Sequence, residues 1–323
     1  MKKLLTKMQK KVVSGALAFS MMFSFCYNAF PKSVFEHEHV HAHAEETDTI
    51  NYVSLGDSMT NGYGFEGYRQ GNYAEGDSFP YGTGIYGEGS YALQFADWLE
   101  EETGKEVNHA QMASSACRAE DLLYLLGGRE KPTDGWFTQV LNYTGASERK
   151  GRLQIVKGGE EELKQLYVEN ITNADIISLA MGNASFGAYL MQYMTSAMGV
   201  FGAKLPEDEI VTFEDALVVL EDEQAEEYVM KAYEMAMAEF YKQLPAGMAD
   251  VPELSMLADV MSYIVAGFLL NYKGVVEKIV ELNPDVEIVL VGLMNTTSGI
   301  KLTDENGDEI KTLTLAYNPS YEI

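Results

Sequence analysis

Basic side chains are scarce in this chain: 23 Lys and Arg face 49 Asp and Glu, for a formal charge of −26. Such a surface repels polyanions, so nucleic acid is a poor partner and an anionic membrane is disfavoured likewise. Cysteine is rarer still. Cys26 lies in the opening apolar run and Cys117 in the body, so a chain cleaved after that run carries one thiol and no internal disulfide. Stability must then come from the core. Histidine is limited to His37, His39, His41, His43 and His109, which leaves no imidazole in the last two thirds of the chain. No cofactor is expected.

Long apolar runs are also few, and the clearest one opens the chain. Lys2, Lys3, Lys7, Lys10 and Lys11 precede an apolar stretch at 12–30, the basic and hydrophobic regions of a secretory signal. An uncleaved anchor is the alternative, because about 20 apolar residues span a bilayer. Ala42-His43-Ala44 offers a small-residue cleavage site, so residues 1–44 read as signal peptide and His-rich spacer and the protein as secreted. The alternating histidines at 37–43 can hold a transition metal if retained, or serve as a solvated spacer.

What remains is large. With 323 residues and 46% hydrophobic content the chain can bury a substantial core as an α/β domain over 45–323. The run Asn51-Tyr52-Val53-Ser54-Leu55 reads as a buried strand that stops at Gly56-Asp57-Ser58. That puts a serine hydroxyl at a strand's carboxyl end, where open α/β sheets bind ligands. The same three residues are good turn formers, so alone the tripeptide decides little. A Gly- and Tyr-rich stretch at 62–89 reads as a loop, its rings lining a cleft or packing on the body. A helix is expected from an N-cap at Ser90 to a left-handed stop at Gly104. Strands are expected at 106–110, 175–180 and 286–292, helices at 118–123 and about 160–169, and loop at 127–159. Residues 189–282 read as helical, with methionine-rich faces that suit a core or a greasy lid. A hairpin is expected at 301–315.

Three strands end in polar or small turns: Gly56-Asp57-Ser58, Ser115-Ala116 and Gly182-Asn183. In order and spacing these resemble the first three motif blocks of the GDSL, or SGNH, hydrolase family, and 288–292 resembles its next strand. The resemblance covers about 48–300 and makes the helical stretch at about 190–283 an insertion. It implies a three-layer α/β/α, flavodoxin-like sandwich with a mostly parallel sheet. It implies Ser58 as nucleophile, with an oxyanion hole formed by Ser58 N–H, the N–H of Ala116 where the family usually has Gly, and the Asn183 amide. Asn183 fits only with the turn shifted by one residue, and Ala184 and Ser185 depart from the family's Gly-x-Asn-Asp pattern. The family's late Asp-x-x-His block, which supplies the base, has no counterpart here, and His109 reads as a packed residue. Either the chain is the front part of a longer enzyme, or it is a degenerate member that binds without turnover. The resemblance therefore implies an exported esterase or lipase-like hydrolase on lipid or acylated-glycan esters, with a secreted glycan- or lipid-binding protein as the alternative.

Overall fold

The computed structural model describes residues 48–69, 82–133, 135–147, 156, 158–182, 184–185, a few helical positions between 226 and 238, and 252–291, with side chains from 265 in that last stretch. The expected signal and spacer, the histidines at 37–43, Asn183, the methionines Met235, Met237 and Met248, and the hairpin at 301–315 lie outside the described residues.

Four strands form one all-parallel sheet in the order β2-β1-β3-β4. They are β1 (Thr49–Gly56), β2 (Glu106–Gln111), β3 (Ile176–Ala180) and β4 (Glu287–Leu290). Among the described residues the named helices between them are α1 (Tyr91–Thr103), α2 (Ala119–Leu125), α3 (Phe137–Tyr143), α4 (Gly159–Thr172) and α5 (Pro252–Leu282). Chain contacts separate two compact units, and the one holding the sheet comprises 38–189 with 264–292.

The register explains which side chains meet. Tyr52 lies opposite His109 and Ile176, and Ser54 opposite Gln111 and Ser178, so these residues share one face. Phe95, Ala96 and Leu99 of α1 pack there, against Tyr52. The other face presents Val53, Leu55, Ala110, Ile177 and Leu179, and side chains from α2 to α5 bury it, including Leu122, Phe137, Tyr167 and Val275. Each fully buried Leu, Ile or Phe contributes roughly 1.5–3 kcal/mol, which suits a chain whose described cysteine is a free, buried thiol.

Several local signals act as read. Ser90 caps α1 by accepting from Ala92 N at 3.2 Å, and Gly104 ends it at φ 67°. Pro252 stands at the first residue of α5, where its missing N–H costs nothing. One expectation is corrected: 127–159 is not all loop, because α3 forms between Gly135 and Gly145. Its N-cap Trp136 makes no side-chain cap bond, so burial of Phe137 and Val140 carries the helix rather than a terminal signal. In the described part of the 62–89 stretch, one ring packs on the body and two are exposed. Tyr86 is buried against the body, whereas Tyr63 and Phe65 stay 60% and 55% exposed.

Candidate active site

The site begins where β1 ends. Gly56 must be glycine, because a Cβ there would stand 2.0 Å from Thr60 Oγ1 and 2.7 Å from the Ala180 carbonyl. The chain folds back tightly: Asp57 O accepts from Thr60 N at 3.1 Å and Asn61 N at 3.3 Å, and Ser58 O accepts from Tyr63 N at 3.0 Å. Ser58 is left half-buried on this turn. In the order β2-β1-β3-β4 the switch point lies between β1 and β3, which is the edge this turn occupies.

Long-range bonds tie the turns after β1, β2 and β3 together. Asp57, fully buried, accepts from Met59 N through Oδ1 at 3.0 Å and from Ala184 N through Oδ2 at 2.8 Å. The first turn is thereby fixed to the third. Asn61 Nδ2 donates to Ser115 Oγ at 3.1 Å, and Ser114 N donates to Gly56 O at 3.1 Å, which fixes the first to the second. Ala119 N donates to Ser185 Oγ at 3.0 Å and closes the ring between second and third. Tyr68 OH adds a 3.0 Å bond to Ser115 Oγ from the loop.

Ala116 has φ 68°, the left-handed region, which costs an L-residue roughly 1–2 kcal/mol and favours Gly. Trp136 Nε1 donates to Ala116 O at 2.8 Å and helps hold that conformation. Among the described residues, neither Ser58 N–H nor Ala116 N–H has a hydrogen-bond acceptor. Two donors are thus left unspent on two turns that are bonded to each other.

No protein-family model matches the chain, and no curated protein matches it.

Burial pushes the Asp57 carboxyl up to about 6, against the two N–H bonds that favour its charged form. A hydroxyl needs a base before it attacks, and among the described residues nothing hydrogen-bonds to Ser58 Oγ. His109 is placed elsewhere. Its register partner is Tyr52, and from there β1 runs about 13 Å further to its end at about 3.3 Å per residue. Its ring stacks on Tyr52 at 4.5 Å and meets the edge of Tyr86 at 5.6 Å. Its Nε2 lies 2.8 Å from Ser54 Oγ, whose one proton goes to Tyr86 OH at 2.8 Å, so Nε2 must carry the hydrogen. Burial lowers its pKa to about 3 and keeps it neutral.

Sequence reasoning missed a second buried group beside Ala116. Arg118, fully buried, forks onto Asp121 with Nε and Nη2 both at 2.9 Å, and Nη1 lies 3.1 Å from Glu120. Burial raises the Asp121 carboxyl in spite of the Arg118 bonds that favour its charged form, and the nearby Glu120 carboxylate adds to the rise. The Arg118-x-x-Asp121 spacing just before a helical run was the available signal, since Asp121 also accepts from Arg118 N at 3.0 Å in the manner of a capping box. Cys117, between these groups, is buried, and burial pushes its thiol well up and so disfavours the thiolate.

Proposed function

We propose that this chain is an exported serine hydrolase of the GDSL, or SGNH, type, acting on carboxylic esters of lipids or acylated glycans, with Ser58 as nucleophile. The observation that carries the reading is the pair of unspent N–H groups at Ser58 and Ala116, on turns bonded to each other at the sheet's switch point. Attack by Ser58 Oγ on an ester carbonyl puts negative charge on the carbonyl oxygen. Preorganised donors at that oxygen are worth about 10²–10³ in rate each. Asn183 is assigned as the third donor. In fold terms the reading is a three-layer α/β/α sandwich over 45–323, α1 on one side and α2 to α5 on the other, with a helical insertion at about 190–283. Residues 1–44 are assigned to signal and spacer.

A second reading is a secreted glycan- or lipid-binding protein of the same architecture. It is favoured by the absence, among the described residues, of any base bonded to Ser58. Turnover of short-chain p-nitrophenyl esters by the purified chain, Ser58→Ala and His109→Ala separates the two. Without a base, a serine site retains only the catalysis of its oxyanion hole and binding, roughly 10³–10⁴ over water. Trace turnover that falls in Ser58→Ala and persists in His109→Ala supports the hydrolase. Equal rates with and without Ser58 support the binding protein, and robust turnover lost in both variants would place His109 at the serine.

A further inference from the structure

Two large aromatic side chains stand in solvent close to Ser58 in the chain. Tyr63 is 60% exposed and Phe65 55%, yet each is fixed by its surroundings. The stretch that carries them pairs with 85–88. Arg69 N donates to Ile85 O at 2.9 Å and Ile85 N to Arg69 O at 2.8 Å, while Glu88 N donates to Glu66 O and Gly87 N to Asn61 O, both at 2.9 Å. Phe65 lies so close to that pairing that a Cβ at Gly89 would stand 2.4 Å from its ring, and one at Gly87 2.7 Å from its own Cβ. Glycine at these two positions makes the seat for the ring. Tyr63 meets Tyr68 edge-to-face, with 5.2 Å between ring centroids. Rings so exposed and so well supported lose little conformational entropy when a ligand covers them.

The same aromatic segment is tied to both turns of the candidate site. Tyr63 N donates to Ser58 O at 3.0 Å, which places Tyr63 on the turn of the candidate nucleophile. Tyr68 OH bonds to Ser115 Oγ at 3.0 Å, one residue before Ala116. Trp136, half-buried at the start of α3, donates to Ala116 O at 2.8 Å. Burial pushes the Tyr68 phenol up to about 12, with Tyr143 of α3 and Tyr63 adding to the rise, so Tyr68 stays a neutral hydroxyl. Aromatic side chains from two separate segments thus border the turns that carry the two unspent N–H groups.

The neighbours of these rings discriminate between ligands. An aromatic face is the negative side of the ring quadrupole and attracts the polarised C–H bonds of a sugar ring. Glu66 and Glu88 are both exposed and joined through their backbones, and carboxylates accept strong, charge-assisted hydrogen bonds from hydroxyls. An acyl chain laid over the same surface would bury those carboxylates with no donor to meet them, which is costly. An anionic ligand is repelled, because Glu66, Glu75, Asp77 and Glu88 outweigh Arg69 in this stretch.

We propose that Tyr63 and Phe65, with Tyr68 supporting Tyr63, form a subsite for a neutral pyranose chain, so that the ester cleaved at Ser58 is an acyl group on a glycan rather than on a lipid. The cleavage rests on the hydrolase reading, whereas the stacking does not need it.

The test titrates partly acetylated xylohexaose into full-length Ser58→Ala by calorimetry, with dimyristoylphosphatidylcholine vesicles as the lipid arm. Binding of the oligosaccharide and none of the vesicles is expected. Adding Tyr63→Ala or Phe65→Ala should each weaken it about tenfold, the upper range for one aromatic contact. Tyr63→Phe and Phe65→Tyr, which keep the rings, should keep the affinity, a rescue that separates stacking from a folding defect. No oligosaccharide binding, affinity untouched by both alanines, or vesicle binding that depends on the same rings overturns the subsite. Fluorophosphonate labelling of the parent chain keeps the two readings apart. Labelling of Ser58 without oligosaccharide binding removes the subsite and leaves the hydrolase, whereas ring-dependent binding without labelling supports the subsite and removes the hydrolase.

Discussion

Ala116→Gly should make the protein more stable, and the size of the gain is a direct reading of the turn that carries a proposed oxyanion donor. At φ 68° the alanine methyl crowds its own backbone, at roughly 1–2 kcal/mol. Glycine removes that strain but returns about 0.4–1 kcal/mol to the unfolded chain as entropy. The balance is a gain of about 0.5–1 kcal/mol, or about 1–3 °C in Tm for a chain of this size. Ala116→Val should move the other way by more than that, since a β-branched side chain tolerates the left-handed region worst. The assay is urea unfolding of the three proteins followed by tryptophan emission. It is well placed, because Trp136 bonds to the Ala116 carbonyl. If Ala116→Gly is neutral or destabilising, the turn is not left-handed in solution and the argument for an unspent N–H at 116 fails with it.

Three other outcomes follow from the same contacts. Ser185→Ala leaves Ala119 N–H buried without its acceptor and should cost about 1–3 kcal/mol in urea unfolding; a change below half a kcal/mol would mean that water replaces the hydroxyl. His109, held neutral with a pKa near 3, stabilises the fold above its unfolded pKa of about 6.5, and that contribution drains as pH falls. His109→Gln should therefore gain on the parent chain by about 2 kcal/mol between pH 7 and pH 5, and a constant difference across that range would refute the burial argument. Asp57 has the opposite sign: its pKa is raised, so the fold is penalised as pH rises through about 6. Asp57→Asn should remove that component, about 1 kcal/mol of the change between pH 5 and pH 7.

The parts of this structure that the sequence discloses are those determined by neighbours in the chain. Ser90 and Gly104 bracket α1 because capping geometry is local, and β1, β3 and β4 are legible as largely apolar runs closed by turns, whereas β2, Glu-Val-Asn-His-Ala-Gln, is marked by its place between the α1 stop and a small-residue turn. The α3 helix escapes because Phe-Thr-Gln-Val-Leu-Asn-Tyr has no cap and too short a period, and forms only when Phe137 and Val140 meet the core. The bonds that assemble the site escape for a different reason. Asp57 and Ala184 are 127 residues apart, and Asn61 and Ser115 are 54 apart, so nothing in either local sequence names its partner. Ala184 and Ser185, which look like departures from a motif, each make one of these bonds, Ala184 through its backbone N–H and Ser185 through its hydroxyl. His109 reads as a packed residue already in the sequence, and its register with Tyr52, its stacking on that ring and its contact with Ser54 Oγ are what the strand pairing adds.

The central claim is that Ser58 is a nucleophile facing backbone donors. It is tested most directly by incubating the purified chain with a fluorophosphonate and locating the adduct by peptide mass spectrometry. The account predicts a slow, single modification on Ser58, lost in Ser58→Ala and retained in His109→Ala. Labelling that persists in Ser58→Ala, or that spreads over surface serines without preference for Ser58, would contradict it.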